Sequence, residues 1–252
     1  MKARRSQPVA AKADHDPVTL SEEKPDSKGS SHHVIYRAIS DAVIEHRLKP
    51  GARLREDALA EVFGTSRTGI RKVLQRLALE QLITRTPGKG ATVARPSAEE
   101  AREVFDARRM IECALMARLA VGITAAQVNE LRAMAQDEQT ALQGHEQSAA
   151  IKVSAAFHGR LAELAGNQTL AHFVAQLCSR SSLILAVYGH SGDLGCECND
   201  HHQLVDLLEA RDSDAAAAFM RKHLHAIESS LSIDEAENET PDLGDVFAAY
   251  QG

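Results

Sequence analysis

Few folds accommodate the stretch Thr65–Leu79, TSRTGIRKVLQRLAL. Ile70, Val73, Leu74 and Leu77 recur at helical spacing, so one face is apolar, while Arg67, Arg71 and Lys72 occupy the other. Thr65 or Ser66 supplies an N-cap. Such a helix reads as the second helix of a helix-turn-helix, whose first turn meets base edges in a DNA major groove. There Arg67 and Arg71 can pair bidentately with guanine, each pair giving about 1–3 kcal/mol of discrimination. An amphipathic surface helix would show the same pattern, and the neighbouring segments decide between the two.

Upstream, Val34, Ile35, Ala38, Ile39, Ala42 and Val43 form a helical stripe over residues 31–48 that Pro50-Gly51 ends. A shorter helix is expected over Glu56–Phe63, with Gly64 as a left-handed turn into the basic helix. Downstream, Leu82–Arg85 and Ala91–Ala94 flank Pro87-Gly88-Lys89-Gly90, which predicts a hairpin wing with Lys89 at its tip, placed for a phosphate or minor-groove contact. Charge supports the DNA reading. The net charge of −6 is split into +1 over residues 1–31, +6 over residues 32–96 and −13 over residues 97–252, a basic module followed by an acidic one.

The run from Pro50 to Val93, PGARLREDALAEVFGTSRTGIRKVLQRLALEQLITRTPGKGATV, resembles the winged helix-turn-helix of GntR-family bacterial transcription regulators. The resemblance extends over Val34–Val93. It implies DNA contacts from Ser66, Arg67, Thr68 and Arg71 at the start of the recognition helix, and from Lys89 and Gly90 on the wing. Gly69 stands where the family usually has Pro or Thr, and Lys72 where it has Glu, which predicts a more flexible helix start and a more basic face.

Beyond the linker Arg95-Pro96-Ser97 every segment reads as helical, with candidates at residues 98–121, 124–143, 148–165, 168–188, 198–210 and 213–231. The fold expected is mainly α: an N-terminal winged helix-turn-helix (31–96) and a C-terminal helical bundle (97–233). A disordered arm (1–30) and an acidic tail (234–252) flank them, and Val246, Phe247 and Tyr250 in the tail can dock as a short turn.

His158, His201 and His223 each share a stripe with apolar residues and point into the bundle, whereas His172, His202 and His225 fall on polar faces. Three imidazoles from separate helices can form a facial nitrogen set for zinc, nickel or manganese. An inward histidine is also an ordinary hydrogen-bonded core residue. Arg108 lies on the stripe of Val104, Ile111 and Leu115, where a cation needs a partner. Glu112, one turn on, is the plain candidate.

FDARRMIE near Phe105, FHGRLAELAGN from Phe157, DHHQLVDLLEARD from Asp200 and RKHL from Arg221 resemble the FadR-type, all-helical FCD effector domain. That resemblance implies a metal on His158, His201 and His223 and a small carboxylated effector on the guanidinium of Arg108. It also implies an Asp ligand four residues before His158, where this chain has Ser154, so the metal ligands reduce to three histidines plus water or effector oxygen, or no tight ion binds.

The sequence expectation is therefore a cytoplasmic repressor and not an enzyme. It would be a homodimer on double-stranded operator DNA, released by a small organic acid. Two rivals are a sensor of the metal itself and a hydrolytic metalloenzyme. Against the enzyme, no Asp or Glu base is identifiable beside the histidines. Cys113, Cys178, Cys196 and Cys198 show neither disulfide nor zinc-finger spacing, Cys196 and Cys198 being read as loop residues rather than ligands. The longest apolar run, Ala114–Ile123, is interrupted by Arg118, and no membrane segment is expected.

Overall fold

The computed structural model describes residues 27–88, 90–189 and 199–233. Helix α1 (Ser27–Ile44) is followed by β1 (Arg53–Leu54), α2 (Glu56–Val62), α3 (Arg67–Leu79), β2 (Ile83–Thr86) and β3 (Gly90–Val93). Then come six helices: α4 (Ala98–Gly122), α5 (Ala125–Gln143), α6 (Gln147–Leu164), α7 (Gln168–Tyr188), α8 (Asp200–Glu209) and α9 (Ser213–Ser229). The first helix starts at Ser27, earlier than expected. The rest of the expected arm, the tail with Val246, Phe247 and Tyr250, and Lys89, Cys196 and Cys198 lie outside the described residues.

The basic stretch is helical, and its sequence explains its packing. Ser66 caps α3, its hydroxyl accepting from the Gly69 amide at 3.1 Å. Ile70, Val73, Leu74 and Leu77 are buried with Ile35, Ile39 and Val43 of α1, with Leu82, and with Ile83, Ala91 and Val93 of the sheet. Gly69 has a steric reason: a β-carbon there would meet the His32 ring at 2.8 Å. It lies buried in the capped first turn, so the looseness expected from this glycine is opposed by packing.

The sheet order is β1-β3-β2, antiparallel throughout. Strand β1 has no alternating pattern, being two residues long, and periodicity did not reveal it. Gly88 and Gly90 take φ of +75° and +89°, left-handed values that glycine adopts without steric cost, and close the wing between Thr86 and Gly90.

The second unit is entered through a capping box, Ser97 with Glu100, and a second box, Thr124 with Gln127, starts α5. Phe157, Leu161, Val174, Leu204 and Met220 lie in its core. Helix α7 is long and apolar enough to cross a membrane by length and composition. Its packing gives that apolarity another role. Four successive residues, Ser181, Ser182, Leu183 and Ile184, are all buried, so this turn of α7 has no outward face.

Leu183 belongs to the core of the winged unit, and Ile184 packs with Phe105 and Ile227 of α4 and α9. The end of α1 is tied to the bundle as well. His46, at φ 57°, places Nε2 2.7 Å from the Ser182 carbonyl, and Ser148 of α6 donates to the Glu45 carbonyl at 2.7 Å. Lys152 of α6 bridges Asp41 and Glu45 at 2.9 and 2.8 Å.

A side chain shared by two packing units should be costly to truncate. Leu183→Ala is expected to lose about 2–5 kcal/mol in chemical denaturation. A loss below about 1 kcal/mol would show that α7 does not complete the winged core.

Candidate metal centre and nucleic-acid interface

Helices α6, α8 and α9 bring His158, His201 and His223 together in the interior. One ligand atom from each lies within 4.8 Å of the others, and all three residues are buried. Each Nδ1 has its own carboxylate. His158 Nδ1 meets Glu112 of α4 at 2.6 Å, His223 Nδ1 meets Asp200 at 2.8 Å, and His201 Nδ1 is hydrogen-bonded to Glu138 of α5. Phe157 stacks on the His201 ring at 4.3 Å and holds its plane.

These partners determine the tautomers. Ionised carboxylates only accept hydrogen bonds, so each Nδ1 carries a proton, and in a neutral imidazole so held Nε2 keeps its lone pair. His158 Nε2 and His201 Nε2 then face each other at 3.3 Å. Two lone pairs at that separation repel unless an electropositive group lies against both, which is the chemistry of a cation-binding donor set.

The electrostatics agree. Burial depresses His158 to about 3 and also lowers His223, keeping both neutral at ordinary pH. Burial would raise Glu112, but Arg108 and His158 outweigh it and hold its carboxyl well below the usual range. For Glu138 the opposing contributions are hydrogen bonds from His201 and Ser154; for Asp200 they come mainly from His223. Three buried carboxylates against the one guanidinium of Arg108 leave an excess of two negative charges among these groups, which a divalent cation balances.

Arg108 is 4% exposed; Nε donates to Glu112 at 2.6 Å, and an Nη reaches Ser181 at 3.3 Å. The intrahelical pair with Glu112 is therefore present, and it continues through Glu112 to His158. Arg108 and His158 also line a cavity of about 40 Å³, together with Glu138, Ser154 and Ser182. The expectation that no acidic residue stands beside the histidines is incorrect: Glu112, Glu138 and Asp200 all do. Glu138 was discoverable, because it continues the buried stripe Val128, Leu131, Ala135 of α5. Asp200 directly precedes His201, and no spacing marks it as a partner of His223. His172 and His225 are exposed as expected, while His202 is half-buried.

At the opposite end, Ser66, Arg67, Thr68, Arg71 and Lys72 are exposed on the outer face of α3, and Gly90 is exposed at the wing. Arg71 donates to Glu56 of α2 at 2.8 Å, an exposed pair that water and salt screen. This contact was not expected from the sequence. It orients the guanidinium along α2 while leaving it accessible.

Two family models match the chain in tandem: bacterial regulatory proteins of the gntR family over residues 32–93, and the FCD domain over residues 103–226. The HTH-type transcriptional repressor RspR of Escherichia coli strain K12 is 25% identical over 205 residues, covering 81% of this chain and 90% of that protein. The Nta operon transcriptional regulator of Aminobacter aminovorans is 27% identical over 183 residues, covering 72% and 85%. A GntR transcriptional regulator from Rhodococcus sp. RHA1 has the same fold, with a TM-score of 0.70 at 23% identity over 79% of this chain and 96% of its own. These families and relatives are transcription regulators, not enzymes.

Neutral buried histidines and ionised buried carboxylates make a pH prediction. His158 and His223 protonate near 6.5 when unfolded and far less readily when folded. The unfolded chain therefore takes up protons first, and stability falls as pH drops below about 6.5, with further loss at lower pH as Glu112, Glu138 and Asp200 are forced to protonate. Urea denaturation of chelator-treated protein should give a lower midpoint at about pH 5 than at about pH 7.5. An unchanged midpoint would contradict the neutral-histidine assignment.

Proposed function

This chain belongs to the GntR family of bacterial regulatory proteins and carries an FCD domain, and from that premise we propose that it is a cytoplasmic repressor controlled by a small carboxylic acid. In this reading residues 31–96 hold operator DNA, residues 97–233 hold the acid and a divalent ion, and the repressor is a homodimer. The ion is carried by His158, His201 and His223. The observation that supports this most is the convergence of three buried imidazoles, one ligand atom of each within 4.8 Å of the others, whose Nδ1 atoms are all held by carboxylates.

A zinc, nickel or manganese ion there supplies positive charge and an open coordination position for a ligand oxygen. Ser154 is no divalent-metal ligand, so three histidines are the protein's share. Arg108 faces the cavity beside His158 and presents a planar cation suited to a carboxylate. Its pairing with Glu112 positions the guanidinium. Without the cation the two excess negative charges repel an anion, so ion and acid bind cooperatively.

For DNA, Ser66, Arg67, Thr68 and Arg71 meet one half-site through the first turn of α3, and Lys89 and Gly90 meet the backbone through the wing. Two half-sites call for two copies of α3. Leu79, Ile111 and Phe173 line a surface groove among α3, α4 and α7 that offers apolar area to a second copy.

Coupling follows the seam between the units. Ser182 lines the cavity and accepts from His46 with its carbonyl; Ser154 lies on α6, which also grips Asp41 and Glu45. An acid that shifts α6 or α7 thereby shifts the end of α1 and the placement of α3. The shift is limited by the acid's difference in affinity for the two placements.

Operator-binding titrations of zinc-loaded and chelated protein against a panel of short carboxylic acids test this reading. Release of DNA by an acid only in the loaded form, abolished by Arg108→Ala with DNA affinity intact, is expected. Release by zinc alone with no acid effect would instead favour a metal sensor. On the DNA side, Arg67→Ala should lose about 1–3 kcal/mol of preference for operator over random DNA. Equal losses on both would remove Arg67 as a base reader.

A further inference from the structure

The cavity beside Arg108 has a second charged wall. Glu138 is 5% exposed and lines the same space as Arg108 and His158. A simple carboxylate entering there meets a guanidinium that attracts it and a buried carboxylate that attracts only hydrogen-bond donors. A ligand atom with lone pairs alone would face Glu138 at a cost that burial magnifies.

Glu138 has acceptor capacity to spare. It accepts from His201 Nδ1 and from the Ser154 hydroxyl, whereas a carboxylate offers about four acceptor sites. The space itself limits the ligand. At about 40 Å³ it is small, so the donor must sit close to the carboxylate. Ile151, Ala155, Leu185 and Ile227 also line it and suit a short apolar substituent.

We infer that the pocket selects short carboxylic acids bearing a hydrogen-bond donor, a hydroxyl or an ammonium group, on the carbon next to the carboxylate, and that Glu138 is the specificity-determining acceptor of that donor. This rests on the carboxylate-pocket reading of Arg108. It adds what that reading leaves open: plain acids and 2-oxo acids of the same size are rejected, because they bring no donor to Glu138.

The test is calorimetric titration of the zinc-loaded full chain with 2-hydroxypropanoate, 2-aminopropanoate, propanoate and 2-oxopropanoate. The first or second should bind about tenfold or more tighter than both of the last two. Which of the two wins identifies the donor as hydroxyl or ammonium. In Glu138→Gln, with zinc stoichiometry measured in parallel because Glu138 touches His201, the preference over 2-oxopropanoate should collapse, since an amide can donate to the oxo group. The wild-type comparison stands even if that variant fails to fold or loses zinc.

Equal binding of propanoate or 2-oxopropanoate to the wild type, lost in Arg108→Ala, would overturn the donor requirement and leave the carboxylate pocket intact. Absence of any Arg108-dependent binding across the four acids would overturn both.

Discussion

Three imidazole–carboxylate hydrogen bonds in the middle of the helical bundle control the rest of this structure. His158 with Glu112, His201 with Glu138 and His223 with Asp200 are each buried pairs, and buried ionised groups persist only when hydrogen-bonded and balanced. The pairs leave the Nε2 atoms of His158 and His201 facing each other and put three carboxylates around the imidazoles. They also draw on five helices: α4 and α5 for Glu112 and Glu138, α6, α8 and α9 for the histidines. A change in the centre is therefore felt by most of the bundle.

Helix α7 connects this centre with the winged unit. Within one turn it presents serines to the cavity beside Arg108, Leu183 to the core of the winged unit and Ile184 to α4 and α9. Close-packed interiors deform little, so a helix fixed on all sides moves as a body rather than bending locally. The hydrogen bond from His46 to the Ser182 carbonyl and the Lys152 bridges add polar ties at the same seam. A ligand that rearranges Arg108 or Ser182 has a short mechanical path to α1, on which α3 packs.

The sequence carried the recognition helix, the wing and the six bundle helices because apolar spacing, caps and glycine turns are local signals. Ser66, one of the two expected caps, does cap α3. The inward turn of His158, His201 and His223 followed from the same periodicity. What periodicity cannot report is who meets whom. Glu138 lies 63 residues from His201 and Glu112 lies 46 from His158, and those pairings arise only when helices pack. The two-residue strand β1 and the Arg71–Glu56 pair escaped for the same reason. Gly69, read locally as loosened backbone, is instead room for His32.

The central claim is that the three histidines form one nitrogen-rich cation site, and zinc-edge X-ray absorption on protein loaded with a single equivalent of zinc measures it most directly. The account predicts a first shell dominated by three imidazole nitrogens at about 2.0–2.1 Å with oxygen completing the coordination. An all-oxygen shell, or one with a single imidazole, would contradict it and return the histidines to the role of hydrogen-bonded core residues.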